Sequence, residues 1–381
     1  MSKELIQSVK QRFKTQFEGD PLMVFSPGRI NLIGEHTDYN DGFVFPAAID
    51  LGIVLALKKS SSKTSRVYAL NKKEMCEISL NQISPQKNGG WRNYVIGVIG
   101  ELQKQGINIG NFEGVFAGNI PGGSGMSSSA ALENSFVYGL NKLFDLGLKK
   151  KEMIFISQRA EHNFVGVHCG IMDQYASMLG KKKSPLLLDC RTMKSTPYKL
   201  KLKSLKLVLV NTNVKHDLSE SAYNDRRAVC EKVAKLLNVK TLRDTSEKYL
   251  NTVKNQIPKS DFNKALYVIL ENERVEKFAK AIEQKDFKLM GELMYETHEG
   301  LSKNYKVSCE ELDFLVETTK SMDFVHGSKM MGGGFGGCTI NLVEQRNIDD
   351  FKSTIENKFK AIFNRSCSIY DVNISKGTHL I

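Results

Sequence analysis

Apolar residues recur along this chain with two periods, and the periods divide it into short elements. Leu5, Ile6, Val9 and Phe13 fall three or four positions apart, which predicts an amphipathic helix over 2–17. Gly19-Asp20-Pro21 stops that helix and a strand opens at 22–25. Residues 43–58, rich in Val, Ile and Phe, read as further strand, and so do 114–117, 184–189, 205–211 and 339–343. Helical patterns cover 93–105, about 129–144, 151–164, 219–237, most of 264–305, and 351–363. Helices and strands mix without strict alternation, so the expected class is α+β. The strong strand at 205 starts a second domain in this reading, giving domains 1–204 and 205–381. Internal repeats and a disordered tail are not expected.

Composition narrows the function. A chain of 381 residues, 41% of them hydrophobic, buries a full core without disulfides. Cys76, Cys169, Cys190, Cys230, Cys309, Cys338 and Cys367 are scattered and form no C-x-x-C pair. That pattern argues for reduced thiols in a cytoplasmic enzyme and against a zinc module. The N-terminal twenty residues lack the apolar stretch of a signal peptide. The longest apolar region, 43–57, is interrupted by Pro46, Asp50 and Gly52 and is too short for a spanning helix, so no membrane partner is expected. The net charge of +12 comes from lysines spread along the whole chain, without a nucleic-acid-binding module. It reads as a solvated surface that favours anionic nucleotides, and no nucleic acid partner is expected.

Candidate chemistry is concentrated in a few segments. Residues 27–40 hold Arg29, Asn31, Glu35, His36, Thr37 and Asp38 within one turn-prone stretch. Such density suits a polyhydroxylated ligand, because each hydroxyl both donates and accepts and carboxylates are strong acceptors. A polar surface loop with capping residues accounts for the composition equally well. Residues 121–133 run Pro-Gly-Gly-Ser-Gly-Met-Ser-Ser-Ser-Ala-Ala-Leu-Glu, with a helix beginning where the glycines stop. Backbone N–H groups and the positive helix end there make a phosphate cradle, and a serine hydroxyl can reach magnesium. No Lys-Ser or Lys-Thr closes the loop, so it is not a Walker A sequence. A flexible Gly/Ser connection is the alternative. Residues 330–339 form a third glycine-rich segment that enters a strand, suited to tight packing against a loop or ligand. Between them, Asp173 follows apolar Ile171 and Met172, so it is partly buried and needs a cationic partner to stay ionised. Glu161, His162 and His168 do not match H-E-x-x-H, which argues against zinc.

Taken in order, these segments resemble the GHMP kinase superfamily and, within it, the galactokinase family. The run G-R-I-N-L-I-G-E-H-T-D-Y-N-D-G carries most of the resemblance. G-S-G-M-S-S-S-A-A, G-G-G-F-G-G-C, C-G-I-M-D-Q-Y with L-L-L-D-C-R, and S-A-Y-N-D-R-R-A-V-C add to it, in register from about residue 13 onward. The resemblance implies a two-domain fold with the active site in the cleft between the N- and C-terminal domains. It implies phosphoryl transfer from ATP, with Mg2+, to the C1 hydroxyl of galactose by a monomer. Asp173 is then the general base and Arg29 its cationic partner. Glu35, His36, Thr37, Asp38, Gly170 and Tyr223 fall on sugar-binding positions. Gly123, Ser124, Gly125, Met126, Ser127, Ser128 and Ser129 fall on the nucleotide loop, and Ser129 and Glu161 on the magnesium ligands. Three residues depart from the family pattern. Met126 replaces a leucine, a nearly isosteric change. Lys329 and Met331 stand where arginine, and threonine or a small residue, are usual, changes expected to bear on how the third loop supports the phosphates. The competing readings are a kinase for N-acetylgalactosamine or L-arabinose and a galactose/ATP sensor that has lost turnover.

Overall fold

The computed structural model describes residues 2–215 and 219–381. The Ser2 hydroxyl accepts the Leu5 N–H at 3.3 Å and caps α1, Lys3–Gln16. Gly19-Asp20-Pro21 then turns the chain into β1, Leu22–Asn31. β2 (Phe43–Val44) and β3 (Pro46–Lys59) follow, and then the hairpin of β4 (Ser65–Ala69) and β5 (Glu74–Ile78). α2 (Trp91–Lys104) leads into β6 (Phe112–Gly118), and α3 (Ser128–Leu143), α4 (Lys150–Ala160) and α5 (Met172–Leu179) come next. β7 (Leu186–Asp189) and β8 (Lys194–Pro197) precede β9 (Leu205–Lys215). Helices dominate afterwards: α6 (Ser219–Leu236), α7 (Glu247–Leu250), α8 (Lys259–Gln284), α9 (Phe287–Glu299) and α10 (Glu310–Lys320). β10 (Val325–Met330), β11 (Gly336–Glu344), α11 (Ile348–Phe363), β12 (Ser368–Asp371) and β13 (His379–Leu380) complete the order.

The first sheet has the order β13-β1-β3-β6-β4-β5, antiparallel throughout except where β4 runs parallel to β6. Side chains of a strand alternate between faces, and β3 uses both. Ile53, Leu55 and Leu57 join a core with residues of α2, α3, α4 and α5, while Val54 and Ala56 join Val9 and Phe13 of α1 on the other side. Val9 and Phe13 are fully buried, and each contributes roughly 1.5–3 kcal/mol to holding α1 across that face. The second sheet has the order β10-β11-β9-β12. In β9, Val208 and Val210 pack with Leu315 of α10 and Phe351 and Phe359 of α11. Leu207 and Leu209 pack with Phe278 of α8 and Met294 of α9. β2, β7 and β8 form a small third sheet. The class is α+β, as expected.

Several elements were not expected: β4, β5, α5, β8, α7, α10, β10, β12 and β13. β13 matters for topology, because Leu380 and His379 pair with Val24 and Phe25 of β1. The far end of the chain thereby edges the sheet whose strand β1 carries Arg29.

Candidate active site

β1 delivers the first cluster of side chains. Its register against β3 shifts between Pro27 and Arg29, and the Arg29 N–H donates to the Met126 carbonyl at 3.1 Å. Leu32 and Ile33 are buried anchors, after which the chain turns sharply through Gly34 and His36, at φ of +94° and +63°. The Gly34 N–H donates to Glu271 Oε1 at 2.8 Å, and the Tyr267 hydroxyl donates to the Glu35 carbonyl at 3.1 Å. The Asp38 carboxylate accepts the N–H groups of Tyr39 (3.0 Å) and Met172 (3.3 Å).

The second cluster comes from the loop before α3. Ser127, the residue preceding that helix, has a left-handed φ of +58° and makes no side-chain cap. Its hydroxyl donates instead to Asp173 Oδ2. The first N–H groups of α3 therefore lack a side-chain partner at the cleft, the arrangement that favours anions. The third glycine segment packs directly on this loop. A Cβ on Gly332 would lie 3.2 Å from the Gly125 carbonyl, and one on Gly337 would lie 3.2 Å from the Gly123 carbonyl. Both residues have positive φ, so the close approach and the backbone conformation each call for glycine.

These clusters meet around a cleft of about 270 Å³ lined by residues from all four segments. Arg29 and Asp173 lie together in it as a bidentate ion pair, Nε to Oδ1 at 2.8 Å and Nη2 to Oδ2 at 2.9 Å. Arg29 is 4% exposed and Asp173 26%, so the carboxylate is the member that a ligand reaches. Arg29 Nη1 also donates to the Gly125 carbonyl, tying the acid to the loop. Glu35, His36, Asp38, Gly170 and Tyr223 line one part of the cleft, and Gly123 to Ser129 line another. A Cβ on Gly170 would fall 1.9 Å from Asp38 Oδ2, so only glycine fits beside that carboxylate.

Thr37 is the exception among the expected site residues. It is fully buried, and its hydroxyl faces the carbonyls of Gly34 (2.9 Å) and Phe43 (2.6 Å) rather than the cleft. Its role here is to brace the turn. The expectation for Lys329 also changes. Lys329 is fully buried, does not line the cleft and pairs with Glu35 beneath it. Met331 packs with Met126 in the core.

Electrostatics in the cleft are acidic. Burial and the charge of Asp173 push the Asp38 carboxyl up to about 6. Burial and Asp173 likewise push Glu161 up to about 7, opposed by hydrogen bonds from Ser129, Cys169 and Gln174. Glu133 is held well above the usual carboxylate range by burial and by Glu161. Burial lowers His36 to about 3, so its ring is neutral, with Nδ1 against the Tyr39 hydroxyl at 2.7 Å. Glu161 begins a π-helical turn, Glu161–Val165, at the end of α4, an irregularity frequent at functional sites. Among the described residues no group of three or more His, Cys, Asp or Glu could hold a metal ion. Ser129 and Glu161 together offer a hydroxyl and a carboxylate, hard oxygen donors of the kind Mg2+ takes when substrate phosphates and waters fill its other positions.

Reading the sequence missed two groups. Gln174 is fully buried, and its Nε2 donates to Glu161 Oε2 at 2.8 Å and Glu133 Oε2 at 3.3 Å. Only its place next to Asp173 pointed to it. Glu133 lies inside the second segment, but its burial follows from the face of α3, which composition does not reveal.

Comparison with known proteins agrees with this geometry. The galactokinase galactose-binding signature matches residues 11–59. The GHMP kinases N terminal domain matches residues 93–181, and the GHMP kinases C terminal domain matches 278–361. Galactokinase of Clostridium beijerinckii is 40% identical over 99% of this chain and 100% of its own length. That of Clostridium tetani is 38% identical over 99% of this chain and 98% of its own. The crystal structure of Lactococcus lactis galactokinase complexed with galactose superimposes with a TM-score of 0.95 at 33% identity, covering 98% of this chain and 99% of that one. Mevalonate kinase of Methanococcus jannaschii, at 18% identity and a TM-score of 0.64 over 94% of this chain and 100% of that one, shares the fold. With the signature, the near-complete coverage and the superposition in agreement, the chain belongs to the galactokinase family of the GHMP kinases.

Proposed function

We propose that this enzyme transfers the γ-phosphoryl group of ATP to the C1 hydroxyl of galactose, and that Asp173 takes the hydroxyl proton. The observation that carries this reading is the bidentate Arg29–Asp173 pair, which joins β1 to α5, with Ser127 of the loop before α3 donating to the same carboxylate. In the step, the C1 oxygen forms its bond to γ-phosphorus as the bond to the β–γ bridging oxygen breaks. The proton passes to Asp173, and ADP and galactose 1-phosphate result. Positioning and charge stabilisation dominate such transfers. Arg29 holds both oxygens of Asp173 in place and adds positive charge beside the transferred group. Glu35, His36, Asp38, Gly170 and Tyr223 orient the sugar, and residues 123–129 hold the phosphates through backbone N–H groups at the start of α3. Ser129 and Glu161 would hold Mg2+, which supplies charge neutralisation for the phosphate oxygens when bound. Gln174 orients Glu161 for that role through its Nε2 donor.

The enzyme is further proposed to act as a cytoplasmic monomer. The division between its domains is placed at Leu205, where the second sheet begins, with the segment after β12 crossing back. No helix among the described residues is long and apolar enough to cross a membrane. The test is ADP release from Mg-ATP with galactose, N-acetylgalactosamine, L-arabinose and glucose compared side by side. Turnover confined to galactose is expected. Preference for another sugar would move the assignment to that sugar, and galactose binding without turnover would make the protein a sensor.

A further inference from the structure

Glu35 is the most enclosed carboxylate that the cleft reaches, and only one of its oxygens is spoken for. Lys329 Nζ donates to Oε1 and also to the Met330 carbonyl at 3.0 Å. Oε2 is buried and has no hydrogen-bond partner among the described residues. Backbone bonds fix the residue on both sides, through the Gly34 N–H on Glu271 and the Tyr267 hydroxyl on the Glu35 carbonyl. Glu271 is itself fully buried and held by Arg274 Nε at 2.7 Å and by the Thr297 hydroxyl. Lys329 stands at the end of β10, fully buried and outside the cleft lining, so it cannot touch a ligand itself.

We propose that Lys329 is a positioning residue for the sugar, clamping Oε1 of Glu35 from beneath so that Oε2 alone faces the cleft and accepts one substrate hydroxyl. The inference rests on the reading of Glu35 as a sugar contact. A fully buried carboxylate without a counter-charge is costly, and removing one partner of such a pair leaves the other uncompensated. Burial pushes the Glu35 carboxyl up and the Lys329 ammonium down, and each charge opposes the shift of the other. Without Lys329 the Glu35 carboxyl would take up a proton or turn away, and Oε2 would no longer be a fixed anionic acceptor. A lysine also leaves the outcome directional. Its single ammonium engages one oxygen, whereas a guanidinium fork has the geometry to cover both.

The test compares wild-type enzyme, Lys329→Met, Lys329→Arg, Glu35→Gln and the double variant Glu35→Gln/Lys329→Met, reading KM for galactose, KM for ATP and kcat. Wild-type turnover of galactose is measured first, and its absence would sink the assignment of function together with this proposal. With that turnover in hand, Lys329→Met is expected to raise the galactose KM about tenfold or more, equivalent to about 1.4 kcal/mol of sugar binding, with ATP KM unchanged. Lys329→Arg keeps the positive charge but its fork can cover Oε2 as well, so it is expected to recover only part of the loss. In the Glu35→Gln background, removing Lys329 is expected to cost no further galactose affinity, because the two residues act as one unit. An unchanged galactose KM in Lys329→Met overturns the role of Lys329 while leaving the assigned function standing. If that variant does not fold, the double variant decides, and a further tenfold rise over Glu35→Gln refutes action through Glu35.

Discussion

Replacing Arg29 by lysine keeps the positive charge beside Asp173 and removes the fork, so it separates electrostatics from geometry. Arg29 spends its donors at three points: Nε on Asp173 Oδ1, Nη2 on Asp173 Oδ2 and Nη1 on the Gly125 carbonyl. A lysine ammonium is a point donor and reaches one of them. A hydrogen bond to a charged group is worth about 1.5–3 kcal/mol, so losing two while keeping the charge costs about 3–6 kcal/mol at the reacting end. At 1.4 kcal/mol per tenfold, kcat should fall on the order of 10²–10⁴-fold. The galactose KM should move by less than about threefold, because Arg29 holds the base and the phosphate loop rather than the sugar hydroxyls. Steady-state ADP release against galactose at saturating Mg-ATP measures both parameters, and a melting curve confirms that the variant is folded. A folded Arg29→Lys enzyme with kcat near the wild-type value would refute the reasoning: the bidentate contact would then be incidental to catalysis.

Other substitutions probe the remaining parts of the cleft. Asp173→Asn is expected to lower turnover about 10²–10⁴-fold, while galactose still raises the melting temperature; near-normal turnover would remove Asp173 as the base. Asp38 is an ionised acceptor above about 6 and loses that character as pH falls through it, with Asp173 and burial as the causes and Arg29 opposing. The galactose KM should therefore be flat at neutral pH and rise about tenfold per unit below that point. A flat KM down to pH 5 would exclude Asp38 as a sugar acceptor. Gly170→Ala puts a methyl 1.9 Å from Asp38 Oδ2, so the galactose KM should rise at least about tenfold with ATP KM unchanged, and equal effects on both substrates would argue for general misfolding instead.

The sequence revealed the cleft residues because they are dense and local: Arg29 to Asp38, Gly123 to Ser129 and Glu161 to Asp173 are each contiguous. It did not reveal who pairs with whom. Arg29 and Asp173 lie 144 positions apart, and composition required only that Asp173 have some cation. The family resemblance, not the spacing, supplied the partner. Lys329 was placed with the third glycine segment on the resemblance, and without an expected strand at β10 nothing in the sequence assigned its side chain to the face beneath the cleft. Thr37, carried onto a sugar-binding position by the resemblance, has its hydroxyl on the Gly34 and Phe43 carbonyls of the turn, a pairing the polar run did not foreshadow. The two-residue strand β13 has no pattern of its own and exists only because β1 offers it an edge.

That last pairing bears on how the enzyme is made in a cell. Val24 and Leu380 are partners across the ladder although 356 positions, 380 minus 24, separate them along the chain. At a synthesis rate of about 5–20 residues per second, the free edge of β1 waits roughly 20–70 s for its neighbour. For that interval the strand that carries Arg29 is an exposed sheet border, the kind of surface on which nascent chains associate wrongly. Synthesis speed and chaperone supply are then expected to affect the yield of active enzyme.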